Sequence, residues 1–124
     1  MKYKLWCKNK NEWEKDSWVI LPNGNIAWIE YGNIVGCANP KNHILVRSTG
    51  LKDINDKYIY EGDIIKSVSI IHKDEQPVSI IKWDKGQYDV FDNEGSWISS
   101  LYKYMMVNNI EVIGNIYENP ELLK

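Results

Sequence analysis

The chain has 124 residues, 44% of them apolar, and a formal net charge of −2. That is one domain's worth of chain with room for a real core, and the composition excludes a disordered protein. No apolar run nears the roughly 20 residues of a membrane-crossing helix, and the mild acidity argues against generic nucleic-acid binding, which shows a basic excess.

The opening Met1–Trp6 carries charge with no apolar region after it, so it does not read as a signal peptide, and a cytoplasmic location is expected. Two cysteines, Cys7 and Cys37, make no disulfide framework and are expected as free thiols. With no CxxC and no histidine pair, no zinc site is expected. Six Trp and eight Tyr stand against one Phe. Such side chains join an apolar body to a polar tip, so they suit either a small β core or an interface.

In chain order, Met1–Cys7 alternates Tyr3, Leu5 and Cys7 against Lys2, Lys4 and Trp6, a two-residue period that predicts a strand. Lys8–Glu12 is a polar turn, and Trp13–Leu21 predicts a second strand. Pro22-Asn23-Gly24-Asn25 is a hairpin turn, because Asn-Gly takes positive φ readily. Ile26–Tyr31 is a strand, Gly32-Asn33 a turn and Gly36–Asn42 a loop. His43–Ser48 is a short strand, with His43 read as a loop-edge residue. The nearness of these strands in sequence predicts an antiparallel meander.

The stretch Thr49–Lys66 organises the rest of the chain. Thr49-Gly50 is expected to end the preceding strand, and Asp53–Asp56 has the short polar side chains that stabilise turns. Tyr58–Tyr60 favours an extended chain. Glu61-Gly62-Asp63 bends sharply before a β-branched strand over Asp63–His72. Val78–Asp84 and Tyr88–Phe91 are strands joined by a turn at Asp84–Gln87, and Trp83 is expected in a central, packed position. Trp97–Tyr104 predicts a short strand and then a helical turn. Ile110–Ile116 is the last strand, and Pro120–Leu123 is a helix-like tail. The fold class expected is mainly β. A small SH3-like barrel spans about residues 49–117, beside an N-terminal β-meander lobe over 1–48 and a short C-terminal helical turn.

Thr49-Gly50-Leu51-Lys52-Asp53, followed after a short turn by Ile59-Tyr60-Glu61-Gly62-Asp63-Ile64, resembles the signature of the YopX family. The C-terminal run Glu111–Leu123, with Gly114-Asn115 at its centre, is similar to the same family, as is the aromatic run Tyr3–Trp6. The resemblance covers nearly the whole chain. It implies the family's fold and a setting in phages or prophages of low-GC Gram-positive bacteria, and it implies no particular activity. Thr49, Gly50, Leu51, Asp53, Tyr60, Glu61, Gly62, Asp63, Gly114 and Asn115 are taken as the structural motif.

No catalytic, cofactor-binding or metal residues are expected. A calcium loop starting at Asp53 fails, with Lys57 at the fifth position, Tyr58 where glycine is needed and Ile64 where the bidentate glutamate should stand. Nothing in the pattern predicts a buried carboxylate that would serve as a catalytic acid. His72 beside Lys73-Asp74-Glu75 lacks a nucleophile, since Ser67, Ser69 and Ser79 lie within strands. No local cue activates Cys7, which reads as a small buried hydrophobe.

A binding surface remains, with Trp97, Tyr102 and Tyr88 as its candidates. The expected function is a non-enzymatic phage accessory module that associates with itself or with a phage or host protein. The alternative is a nucleic-acid-binding barrel with a lysine stripe at Lys66, Lys82, Lys85 and Lys103. The negative charge and the presence of only one arginine, Arg47, oppose that alternative.

Overall fold

A computed structural model describes residues 2–15, 17–68 and 77–124. His72 and Ser69, weighed above and set aside as catalytic residues, lie outside the described residues. So does the C-terminal part of the strand expected over Asp63–His72.

The strands are β1 (Tyr3–Cys7), β2 (Glu12–Glu14), β3 (Trp18–Ile20), β4 (Ile26–Glu30), β5 (Asn33–Cys37), β6 (His43–Lys52), β7 (Tyr58–Tyr60), β8 (Asp63–Val68), β9 (Val78–Asp84), β10 (Gln87–Asp92), β11 (Trp97–Ser100) and β12 (Asn109–Asn115). One helix, α1 (Leu101–Val107), follows β11, and a 3-10 turn covers Pro120–Leu123. The chain forms two compact units, Tyr3–Leu45 and Val46–Lys124 with Lys2. β6 crosses the boundary between them.

In the N-terminal unit, β1 pairs antiparallel with β2, and β3-β4-β5 form an antiparallel meander. Leu5, Ile26 and Ala38 are its buried centre, with Trp18, Trp28 and Leu45 packed against them. Two local expectations are corrected here. The single strand expected over Trp13–Leu21 is two short strands, β2 and β3. The segment Gly36–Asn42 is not all loop, because Gly36 and Cys37 complete β5 opposite Trp28 and Ala27. Gly and Cys are poor strand signals, and cross-strand pairing decides their conformation.

The C-terminal unit holds an antiparallel five-stranded sheet in the order β11-β10-β9-β8-β12, together with the β6–β7 pair. The mainly β class holds, but among the described residues the sheet is open: β11 and β12 stand at its two ends and are not joined into a barrel. Ile59, Ile65, Ile81, Val90, Leu101 and Ile110 form the buried core, with Leu51, Tyr88, Tyr104, Met105 and Val112 packed on it. The strand-then-helix reading of 97–104 holds: Ser100 caps α1 by accepting from the Lys103 amide at 3.3 Å.

Thr49-Gly50 does not end a strand as expected. β6 runs on to Lys52, and the extra residues between the Ser48–Tyr60 and Lys52–Tyr58 pairs are absorbed in a bulge. Gly50 takes φ +82° there, a conformation that glycine adopts without strain. At the far end of the sheet, a Cβ on Gly114 would stand 2.6 Å from Asn119 Oδ1 and 3.0 Å from Leu122 Cδ1. Gly114→Ala is therefore expected to push the 3-10 tail off β12. Hydrogen exchange should speed up at the Asn119 amide, which now donates to the Asn115 carbonyl at 2.9 Å. Unchanged exchange there would mean the tail gives way without cost.

Candidate functional site

The signature residues of the central stretch act as hydrogen-bonding pivots. The Thr49 hydroxyl donates to the Ile59 carbonyl at 2.8 Å and accepts from the Leu51 amide at 3.2 Å, closing the bulge. Asp53 is buried, and both its carboxylate oxygens are engaged. Oδ1 accepts from the amides of Asn55 and Lys57, each at 2.9 Å, and Oδ2 accepts from the Val112 amide at 2.9 Å. Burial pushes this carboxyl up. The amides of Val112, Lys57 and Asn55, with the Lys57 charge, outweigh that and hold it below its ordinary value. The Ile54 amide adds a bond to the Ile110 carbonyl at 3.0 Å. Together Asp53 and Ile54 cover the outer edge of β12.

The second turn is as closely tied. Asp63 Oδ2 accepts from the Tyr60 amide at 2.8 Å. The Gly62 amide donates to the Ile81 carbonyl at 2.7 Å, and the Gly62 carbonyl accepts from the Ile116 amide at 2.9 Å. Gly62 thus joins β9 to the end of β12. Asn115 Oδ1 accepts from the Tyr117 and Glu118 amides at 3.0 and 2.8 Å, which turns the chain after β12. The hydroxyls of Tyr60 and Tyr117 are pushed up, first by burial and then by nearby carboxylates: Asp63 for Tyr60, and Glu61 and Asp63 for Tyr117.

Carboxylates are buried here, at Asp53, Asp63 and Asp89, which the sequence pattern does not reveal. Backbone amides fill the oxygens of Asp53, so the burial serves the turn.

Glu61 reaches outward to Arg47. The Arg47 amide and Nε donate to Glu61 Oε1 at 3.0 and 3.4 Å, and Nη2 donates to Oε2 at 3.3 Å. The same guanidinium lies 4.8 Å above the Trp83 ring, and Trp83 meets Tyr88 edge-on at 4.8 Å across the β9–β10 ladder. The Tyr88 hydroxyl donates to the Ser48 carbonyl at 3.4 Å. Tyr88 is therefore half-buried and bonded into the network, not presented as a free binding residue. Trp83, expected in a packed centre, is 44% exposed, because β9 turns it outward beyond the buried run Ser79–Ile81. Arg47 was missed as a site residue. Its importance comes from a partner 14 positions away, which no local pattern shows.

Trp97 and Tyr102 are on the surface, 59% and 69% exposed. They belong to one run, β11 and α1, that also exposes Ile98, Met106 and Val107. Tyr102 and Met106 are four residues apart on α1 and share a face, while Leu101 is buried. That spacing was legible in the sequence. The helix boundaries that give it meaning were not.

Of the four lysines in the alternative reading, Lys66 pairs with Glu111 at 3.7 Å and Lys82 lies 5.3 Å over the Phe91 ring. Among the described residues no helix is long and apolar enough to cross a membrane. In the N-terminal unit, Cys7, Glu14 and His43 offer donor atoms within 4.8 Å of one another. The chain separations are too wide for a sequence motif to reveal them; His43 stands where the loop meets β6, as expected, and is half-buried against Trp28.

The geometry defines a class: a mainly β protein whose signature residues are pivots of the C-terminal sheet, with an exposed apolar face on the outermost strand and the helix after it. The family model described as YopX protein matches residues 2–124. The chain belongs to the YopX family. Among its relatives is the SPbeta prophage-derived uncharacterized protein YopX of Bacillus subtilis strain 168, 28% identical over 132 residues that cover 98% of this chain and 95% of the relative. The X-ray crystal structure of B. subtilis protein yopX matches with a TM-score of 0.64 at 26% identity, over 98% of this chain and 95% of that one. The crystal structure of protein EF1440 from Enterococcus faecalis shares the fold, with a TM-score of 0.66 at 21% identity over 99% of this chain and 97% of that one.

Proposed function

We propose that this protein is a non-enzymatic phage or prophage accessory module that associates with a second copy of itself through β11 and α1. The observation that carries this reading is the contrast between the two ends of the C-terminal sheet. At β12 the outer edge is bonded by Asp53 and Ile54. At β11, the last strand of the sheet, Trp97 and Ile98 are exposed beside Tyr102, Met106 and Val107. Among the described residues β11 pairs with β10 alone, and an unpaired strand edge flanked by large apolar side chains is a template for pairing with another strand. Trp and Tyr are also the side chains that most often anchor such contacts.

The non-enzymatic part is supported by the buried turn carboxylate of Asp53, whose oxygens are occupied by backbone amides. The net charge of −2 and the engaged lysines favour a protein partner over nucleic acid.

Light scattering coupled to size exclusion at micromolar concentration tests this reading. A mass of twice the chain is expected, and Trp97→Lys with Tyr102→Lys should weaken self-association by at least about thirtyfold, the effect of losing one strong anchor. A monomeric wild type would remove the proposal.

A further inference from the structure

The N-terminal unit gathers three side chains that the signature turns do not use. Cys7 pairs with Glu12 and Leu5 with Glu14 across the β1–β2 ladder. The Cys7 thiol and Glu14 carboxylate are therefore diagonal neighbours on one face. His43 arrives from the other side, at the end of the loop Asn39–Asn42. That loop is held by the Asn42 amide donating to the Asn39 carbonyl at 3.0 Å and the Lys8 amide donating to the Asn42 carbonyl at 2.8 Å. The site is sheltered: Cys7 is 3% exposed, and the His43 and Glu14 side chains are 12% and 13% exposed.

The orientation of the imidazole is decisive. Nδ1 lies 3.1 Å from the Asn39 carbonyl oxygen. That oxygen can only accept, so Nδ1 carries the proton, and in neutral His43 the lone pair is on Nε2. Nε2 stands 3.5 Å from Glu14 Oε1. A lone pair thus faces a carboxylate, an arrangement that calls for a proton or a cation between them. The separation is long for a hydrogen bond. It does match the edge of a tetrahedron around an ion with bonds of about 2.0–2.3 Å, whose ligand atoms are about 3.3–3.8 Å apart. A backbone carbonyl holding Nδ1–H is also the arrangement that orients a metal-ligating histidine. The Trp28 ring, edge-on at 5.5 Å, fixes the imidazole plane further.

We propose that Cys7 Sγ, Glu14 Oε and His43 Nε2 form a three-ligand site for a divalent ion of the zinc class, with a fourth position open. The thiol proton leaves to solvent as the metal–sulfur bond forms, and no electron is transferred. The Lys10 ammonium stands 3.2 Å from Glu14 Oε1 and offsets the carboxylate charge. Lys10 is largely exposed and withdraws when the ion enters. A nucleophilic cysteine fits these atoms less well. Nδ1 is taken by a carbonyl and Nε2 faces the carboxylate, so neither nitrogen serves as a thiol base backed by an acid.

The test is a Co2+ titration of the reduced, chelator-treated full chain, followed by absorption, with Zn2+ affinity measured by competition against a chromophoric chelator. One ion per chain is expected, with a sulfur-to-cobalt charge-transfer band that Cys7→Ser removes and Cys37→Ser keeps. His43→Gln should weaken Zn2+ binding by at least about tenfold. It is the deciding variant if the buried Cys7→Ser does not fold. A wild type without the band, a band that follows Cys37, or His43→Gln binding Zn2+ as tightly as the wild type would each overturn the site.

Discussion

Asp53→Ala is expected to destabilise the protein by about 3 kcal/mol, because three amides lose a charged acceptor and the buried members have no water to replace it. The Val112 amide matters most. Its bond to Asp53 Oδ2 joins a turn after β6 to a strand 59 residues further on. Asn55 and Lys57 lose the oxygen that shapes the turn itself.

The carboxylate also sets a pH dependence. Asp53 titrates below its ordinary value in the folded protein. The unfolded chain therefore binds the proton more readily than the folded one. The contribution is present in full above the unfolded value of about 3.9, and is lost as pH falls through the lower folded value. Asp53→Asn keeps one acceptor oxygen and loses the charge. It should cost less than the alanine variant and flatten the acid limb of the stability profile. Urea denaturation of both variants between neutral and acid pH checks the two claims together. An alanine variant with the wild-type midpoint would show that the turn and β12 do not depend on this side chain.

Gly62→Val is expected to be comparably damaging. Gly62 sits at φ +85°, and a Cβ there would be 2.9 Å from Tyr117 Cε2 and 3.3 Å from Ile116 Cγ1. Backbone strain alone costs about 1–3 kcal/mol, and displacing Tyr117 adds to it. Gly86 separates the two contributions. It has φ +87°, and a Cβ there would meet nothing within 4 Å, so Gly86→Ala carries strain without the clash. Thermal melts should rank Gly62→Val below Gly62→Ala, and Gly62→Ala below Gly86→Ala. Equal losses for the two alanine variants would mean that Tyr117 moves aside freely and the close approach is unimportant.

These two residues also show why the central stretch is built as it is. Asp53 and Gly62 each bond the end of a turn to a distant strand, Asp53 to Val112 and Gly62 to Ile81 and Ile116. Arg47 and Glu61 extend the same network to Trp83 and Tyr88 on the surface. The signature residues of the central stretch and of the Gly114-Asn115 run are thus accounted for by the geometry of the C-terminal sheet. The exposed β11–α1 run lies outside them.

Local chemistry made several elements legible without coordinates. The period-two alternation of Tyr3–Cys7, the Asn-Gly turn at Asn23-Gly24, the acid–glycine–acid bend at Gly62 and the strand-to-helix change near Ser100 all follow from side-chain shape and backbone preference within a few residues. The signature motifs and the family were equally readable, since they are strings of neighbours.

Tertiary structure alone decided the rest. An open sheet and a closed barrel contain the same strands and differ only in which edges meet. The exposure of Trp83 and the partial burial of Tyr88 are set by the register between β9 and β10 and by what packs on each residue. Asp53 is buried because a strand near the end of the chain supplies an amide to it. Cys7, Glu14 and His43 converge through ladder geometry and a loop, with no shared motif. In each case the deciding partner is distant in the chain, and a local pattern carries no information about a partner that only folding brings near.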